Sequence, residues 1–302
     1  MLDMLAQPAH SWTGYRVALR LFSPVHIGWR SIGNLKQTRP YVPGSALWGA
    51  LAVRLAEDFR PDNNRRAEPS DYRKAEQDVD QHMRFTYFYP SRQPDRVTLF
   101  PWEKGRAEFE WLFLSSYMST SLRQGRMAES GFLHEIEYIS SRARDGSDVW
   151  LVGYCWTDNS WPVTDLNKLW ASVHIGGERT YGFGRIADAQ VDHVDGCVFD
   201  EFEPELTDGV VLRAQGAHRV CAHVVDEIQN AHAIEVEPLI GRNIDPAGRY
   251  RLTKGVAAYS PGTVCEHSQT WKITERGLWK SAVGTADLSE SAANPVRATR
   301  NE

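Results

Sequence analysis

Hydrophobic and polar positions alternate most cleanly near the start of the chain. Tyr15, Val17, Leu19 and Leu21 fall on one side and Arg16 and Arg20 on the other, so residues 15–22 read as a half-buried strand. The period then changes. Leu47, Leu51, Leu55 and Phe59 recur every fourth residue, Ser45 stands where an N-cap would, and Pro61 follows, which predicts an amphipathic helix over 45–59. The free N–H groups of its first turn suit a phosphate.

Residues 60–83 are polar and charge-mixed, the pattern of a short solvated helix or an insertion. Runs rich in aromatic and β-branched residues at 84–89, 96–100, 107–115, 132–139 and 148–155 read as strands, parted by Pro90, Pro94, Pro101 and Gly105. Over 164–173, Leu166, Leu169, Trp170 and Val173 share one helical face, and 183–194 alternates as a closing strand. Strand, helix, strands, helix, strand is the order of a ferredoxin-like α+β sandwich with an antiparallel sheet and two helices. RNA-recognition modules share this architecture. Beyond Asp195 the patterning weakens. Strands are expected at 210–213, 220–225 and 271–274 and a turn-rich segment at 241–262, giving a smaller β-rich portion. The expected plan is an N-terminal extension at 1–14, a ferredoxin-like domain at 15–195, the β-rich portion at 196–280 and a disordered tail at 281–302.

The composition, 302 residues with 42% hydrophobic and 24% charged, is that of a globular chain large enough to bury a full core. It has no apolar run of the roughly 18 residues a membrane span needs, and no basic-then-apolar N-terminal signal, so a cytoplasmic location without a membrane partner is expected. Cys155, Cys197, Cys221 and Cys265 are scattered without a Cys-x-x-Cys pair and read as buried apolar residues. His218, Cys221, His223 and His232 have no spacing that fixes a tetrahedral site, so neither metal nor cofactor is expected. The net charge of −5 argues against a protein that coats nucleic acid indiscriminately. Its distribution is uneven: residues 28–66 carry seven basic and three acidic side chains, whereas 186–250 carry four basic and thirteen acidic. Any nucleic-acid surface therefore belongs to the first two-thirds.

The candidate chemistry centres on residues 175–186. Gly176, Gly177, Gly182 and Gly184 are interleaved with Arg179 and Arg185 and with Tyr181 and Phe183. Glycines let a ligand approach bare backbone N–H groups, arginine supplies a phosphate-matching fork, and an aromatic ring offers a stacking face to a base. A dinucleotide fingerprint would place its glycines between a strand and a following helix, and here that order is reversed. The plain alternative is an ordinary helix-to-strand turn. Lys36 and Arg39, in the basic and aromatic loop after the first strand, extend the candidate surface. Trp29, Trp48, Trp102 and Trp161 suit stacking on bases or anchoring a partner protein equally.

Three stretches together resemble the RAMP superfamily, the repeat-associated proteins of CRISPR effector complexes, in a style most similar to type III systems. They are Ser23-Pro24-Val25-His26-Ile27-Gly28, the run from Tyr41 to Leu51 (Tyr-Val-Pro-Gly-Ser-Ala-Leu-Trp-Gly-Ala-Leu), and the run from Gly176 to Arg185. The resemblance covers residues 15 to about 194. It implies a ferredoxin-like fold, a glycine loop lying near bound RNA, and CRISPR RNA and other CRISPR-associated proteins as partners. By position it implicates Gly176, Gly177, Arg179, Gly182, Gly184 and Arg185, and also Ser45.

Some RAMP proteins cleave RNA. His26 is the one histidine between the first strand and the first helix, and so the candidate general acid or base, with Tyr41 or Lys36 assisting. Asp62, Asp71, Asp78 and Asp80 are the candidates for facing a target strand, and a solvated charged face explains them better. The expected role is a non-catalytic RNA-binding or accessory subunit in antiviral defence. The rivals are a guide-processing endonuclease using His26 and a protein–protein adaptor that has lost RNA binding.

Overall fold

The computed structural model of the protein describes residues 11–59, 66–103, 106–120, 133–162, 165–207, 209–228, 231–244 and 250–282. Most of the expected N-terminal extension, Asp62 and nearly all of the expected tail lie outside the described residues. In chain order the first portion carries β1 (Trp12–Leu21), β2 (Gly28–Ile32), β3 (Leu35–Thr38), α1 (Gly44–Asp58), α2 (Pro69–His82), β4 (Met83–Phe85) and β5 (Tyr89–Ser91). It continues with α3 (Arg106–Phe113), β6 (Leu114–Ser119), β7 (His134–Ile139), β8 (Trp150–Asp158), α4 (Leu166–Ala171) and β9 (Ile186–His193).

The main sheet has the order β4-β8-β1-β9, with β5 also on β8, and its pairings are antiparallel. From β1 the chain crosses by α1 and α2 to β4 at one edge. It returns along β8 in the middle and crosses by α4 to β9 at the other edge. A second sheet, β2-β3-β7-β6, is built from the segments before α1 and after α3.

The helical face follows from the sequence pattern. Leu47, Leu51 and Leu55 of α1 join Val17, Leu19 and Leu21 of β1 and Leu151 and Cys155 of β8 in one core. The polar stretch after α1 is a docked helix rather than a solvated one. Glu68 caps α2 through a capping box with Asp71, Pro69 opens the helix, and Ala75 and Val79 are buried. The indole N–H groups of Trp48 and Trp161 donate to Asp80 and Asp78, each at 2.7 Å. Both aspartates therefore fasten α2, and both tryptophans are committed to the fold.

The other face of the main sheet is covered as well. In RNA-recognition modules that face is free to stack bases. Here β8 is buried along its whole length. Its Tyr154 and Trp156, with Tyr87 and Tyr89, share a second core with Val198, Phe202, Leu212, Trp271 and Trp279. The C-terminal strands Phe202–Thr207, Gly209–Ala214, Gln269–Ile273 and Trp279–Ser281 form an antiparallel sheet in that order. The acidic last third is thus a lid on the open face of the first sheet.

Several local expectations also change. Residues 107–115 are not one strand, because Phe109, Leu112 and Phe113 recur at helical spacing and are buried from α3 before β6 begins. Residues 96–100 form no strand, and 220–225 contribute only isolated bridges from Val224. Ser45 is not the N-cap of α1. Pro43 holds that position, and Ser45 is an exposed second residue of the helix. Nor is the start of α1 open to a phosphate, since the main chain of Arg276 and Gly277 lies where a Cβ on Gly44 would stand. Cys155, Cys221 and Cys265 are buried, and Cys197 is exposed. Burial pushes the Cys155 thiol up to about 12 and that of Cys265 up to about 11.

Candidate nucleic-acid interface

The glycine loop and the segment after β1 form one physical unit. The Gly177 N–H donates to the His26 carbonyl at 2.9 Å, Gly184 N–H to Pro24 at 2.7 Å, and Phe22 N–H to Arg185 at 2.9 Å. Arg185 N–H donates to the Ser23 hydroxyl at 3.0 Å, and Ile175 N–H to the Gly184 carbonyl at 2.9 Å. Two motifs about 150 residues apart in sequence are thereby zipped together. Gly176 and Gly184 are required by this closure. Both have positive φ, +82° and +85°, and a Cβ on either would strike a carbonyl, that of His26 or of Ile175.

The zipping corrects the expected way of holding an anion. The amides of Gly177, Gly182, Gly184 and Arg185 are all occupied by internal bonds, so they are not the bare donors that the glycines suggest. What the loop offers outward is side chains. Arg179 opens a 3₁₀ turn, Arg179–Tyr181, and donates to the His174 carbonyl at 3.0 Å while remaining exposed. Arg185 is exposed, its guanidinium 5.0 Å from the Phe22 ring centroid. Tyr181 is 47% exposed and lies 6.5 Å from Tyr117 of β6. Gly182 has positive φ, and a Cβ there would meet nothing within 4 Å, so that point of the backbone is open to close approach.

The small sheet carries the loop. Phe183 is buried against Tyr138 of β7. Lys36 of β3 pairs with Glu178 at 3.0 Å, so it braces the loop. Arg39 belongs elsewhere. It makes a two-pronged pair with Glu237 of the C-terminal portion at 2.9 and 2.7 Å and donates to the Tyr41 hydroxyl at 3.1 Å. Its charge is spent on joining the two portions and is unavailable to a phosphate. Ser45 likewise lies on α1 beside the covered helix start.

Glu237 anchors a buried relay. The His223 ring contacts it at 2.7 Å and Tyr87 at 2.8 Å. Glu237 accepts, so Nε2 carries the proton and Nδ1 accepts from the Tyr87 hydroxyl. Burial pushes the Glu237 carboxyl up, but the bonds from His223 and Arg39 outweigh it and hold the group well below the usual carboxylate range. Burial lowers His223 and keeps it neutral. His218 accepts from the Trp271 indole at 3.0 Å and lies 3.1 Å from the Gly216 carbonyl, while His232 is exposed and pairs with Glu266. Nothing in the sequence singled out Glu237, which stood in a stretch read only as acidic.

His26 is buried at 6% exposure, and its Nδ1 donates to the Glu137 carbonyl at 2.7 Å. Its carbonyl holds Gly177. Tyr41 is buried beside Arg39, and Lys36 is paired with Glu178.

No protein-family model matches the chain, and no curated protein matches it. Among solved structures, a chain from "Cryo-EM structure of the Type III-B Cmr-beta bound to cognate target RNA and AMPPnP, state 1" is 14% identical. That alignment covers 83% of this chain and 86% of that one with a TM-score of 0.48. A chain from "CRISPR RNA-guided surveillance complex" is 13% identical over 82% of this chain and 91% of that one, with a TM-score of 0.29. Both scores lie below 0.5, and both identities are too low to carry a function across. Among the described residues no helix is long and apolar enough to cross a membrane.

Proposed function

We propose that this chain is a non-catalytic RAMP-type subunit of a type III-like CRISPR antiviral assembly, one that lays guide RNA across the glycine loop and packs against other CRISPR-associated proteins. One observation carries the reading. Two of the stretches that carry the resemblance, Ser23 to Gly28 and the glycine loop, meet in space as one hydrogen-bonded unit, and Arg179, Tyr181 and Arg185 are exposed on it. A fork for phosphate and a ring for a base, carried on a hydrogen-bonded loop, suit single-stranded RNA without demanding a sequence. The sheet order β4-β8-β1-β9 fits the split βαβ arrangement of a ferredoxin-like domain, which supports the same family. The inward-turned ring of His26 supports a role without cleavage.

Filter binding of a CRISPR repeat-derived RNA at about 50 and about 200 mM salt tests this, with wild type beside an Arg179→Ala, Arg185→Ala double variant. The wild type is expected to bind with a salt slope that the double variant lowers by about 1.4, the value for two lost phosphate contacts on a single strand. The RNA is expected to stay intact. Wild type that fails to bind at low salt sinks the RNA claim for the isolated chain, and cleavage lost in His26→Ala sinks the non-catalytic one. The adaptor reading is favoured by a separate observation: Ile32, Tyr117 and Met118 of the small sheet are exposed at 62%, 48% and 61%.

A further inference from the structure

A cavity of about 320 Å³, separate from the glycine loop, lies between the small sheet and the C-terminal portion. Its volume is that of a compact small-molecule site. Trp29, Tyr41 and Trp102 supply aromatic walls, and Glu137, Glu235 and Glu237 bring carboxylates to the lining. Each carboxylate is fixed by a donor of the protein. Glu137 accepts from the Thr38 N–H at 2.9 Å, Glu235 is paired with Arg30, and Glu237 with Arg39. Two lining residues carry polar groups with no partner in the protein: the indole N–H of Trp29 and the hydroxyl of Ser260, the latter residue only 7% exposed.

These features narrow the ligand. Buried donors left unpaired are costly and rare, so a wall with two of them calls for a ligand that brings acceptors. A lysine or arginine side chain of a partner has none. A phosphate or carboxylate has them but would face four lining carboxylates, Glu110 with Glu137, Glu235 and Glu237, against one lining cation, Arg106, itself paired with Glu110. A neutral planar ring that stacks on indole and has a carbonyl beside N–H groups meets every demand. We propose that the cavity takes a guanine base, with O6 or N7 accepting from Trp29 and Ser260 and the N1–H and N2–H edge donating to a carboxylate of the wall.

The cavity and the loop share strands. On β3, Lys36 holds Glu178 of the loop while Gln37 and Thr38 line the cavity. On β7, the Glu137 carbonyl accepts from His26 while its residue lines the cavity. The base has two possible sources, a nucleotide of the bound strand or a free nucleoside, and only the first rests on the RNA reading above.

Calorimetric titration of the full chain separates these. The ligands are guanosine, inosine, an all-uridine RNA and the same RNA with one central guanine. They are titrated into wild type, a Trp29→Phe, Ser260→Ala variant and the Arg179→Ala, Arg185→Ala variant. We expect wild type to prefer guanosine over inosine, or the single-guanine RNA over the all-uridine RNA, by about tenfold, the effect of one lost hydrogen bond. The Trp29→Phe, Ser260→Ala variant should bind guanosine and inosine each about tenfold more weakly, since both present O6 and N7, and should cut the advantage of the single-guanine RNA, while the arginine variant keeps the guanine preference and weakens both RNAs alike. A preference shown by guanosine alone assigns the site to a free nucleoside, and one shown by the RNA assigns it to the strand. The proposal is overturned if wild type shows neither preference, or if the Trp29→Phe, Ser260→Ala variant binds guanosine as tightly as wild type does. Failure of both RNAs to bind, with guanosine still preferred, would count against the loop reading and not against the cavity.

Discussion

Gly182 and Gly184 have nearly the same backbone, φ +82° and +85°, in different surroundings. A Cβ on Gly182 meets nothing, whereas one on Gly184 meets the Ile175 carbonyl. Gly182→Ala should cost only the left-handed penalty of about 1 kcal/mol, and Gly184→Ala about 3 kcal/mol once the clash is added, as read from urea midpoints. Equal losses would contradict the zipped loop. The cluster of glycines and arginines was legible because glycine spacing is a local signal. Which amides were already taken was not, since the acceptors for Gly177, Gly184 and Arg185 lie on His26, Pro24 and Ser23.

The relay on Glu237 makes a pH prediction. Both Glu237 and His223 have folded values below their unfolded ones. Each therefore contributes stability that is present above its unfolded pKa, about 4.3 for Glu and about 6.5 for His, and lost as pH falls through the lowered folded value. Unfolding midpoints should decline on acidification, first below about 6.5 and again below about 4.3. Glu237→Gln should remove the lower limb and cost about 3 kcal/mol at neutral pH, because it leaves the mostly buried Arg39 without its counter-charge. A variant with an unchanged acid profile would contradict the pairing. Arg39 looked like a phosphate ligand from sequence because its partner lies 198 residues away.

Among the elements, α2 was the least legible. Its polar composition pointed to solvent, and only Ala75 and Val79 mark a buried side. The helix is docked by indole N–H groups on aspartates, a polar contact that hydrophobic periodicity does not register. Asp80→Ala should destabilise the protein by about 1–2 kcal/mol, leaving the Trp48 N–H without its acceptor, and native-state hydrogen exchange should rise first in α2. No change in α2 protection would mean the contact does not hold the helix. The 107–115 stretch failed for a different reason: its aromatic residues favour strands by composition but bury at helical spacing.

For the whole molecule, the unbroken apolar run Trp150-Leu151-Val152-Gly153-Tyr154-Cys155-Trp156 carried a signal that alternation did not. A strand apolar on both sides needs a cover on both sides, and here the helices provide one and the acidic C-terminal portion the other. The positions of β1, α1, β8, α4 and β9 were readable because each has its own period, whereas β2, β3 and α3 were not. The cover was not, because its strands are short and its two hairpins join through Gly209–Ala214 and Gln269–Ile273, which lie far apart in sequence. A fragment ending at 195 would expose Tyr87, Tyr89, Tyr154 and Trp156, so it should aggregate or bind a hydrophobic dye. A soluble, cooperatively folding fragment would contradict the shared core. With that face covered, the proposed RNA contact rests on the glycine loop and its small sheet. Ultraviolet crosslinking of wild-type protein to a uridine-rich repeat RNA, with the attached peptides mapped by mass spectrometry, tests this most directly. The account predicts crosslinks at Tyr181 and its neighbours in 175–186, lost in the Arg179→Ala, Arg185→Ala variant. Crosslinks confined to the C-terminal portion, or unaffected by that variant, would contradict it.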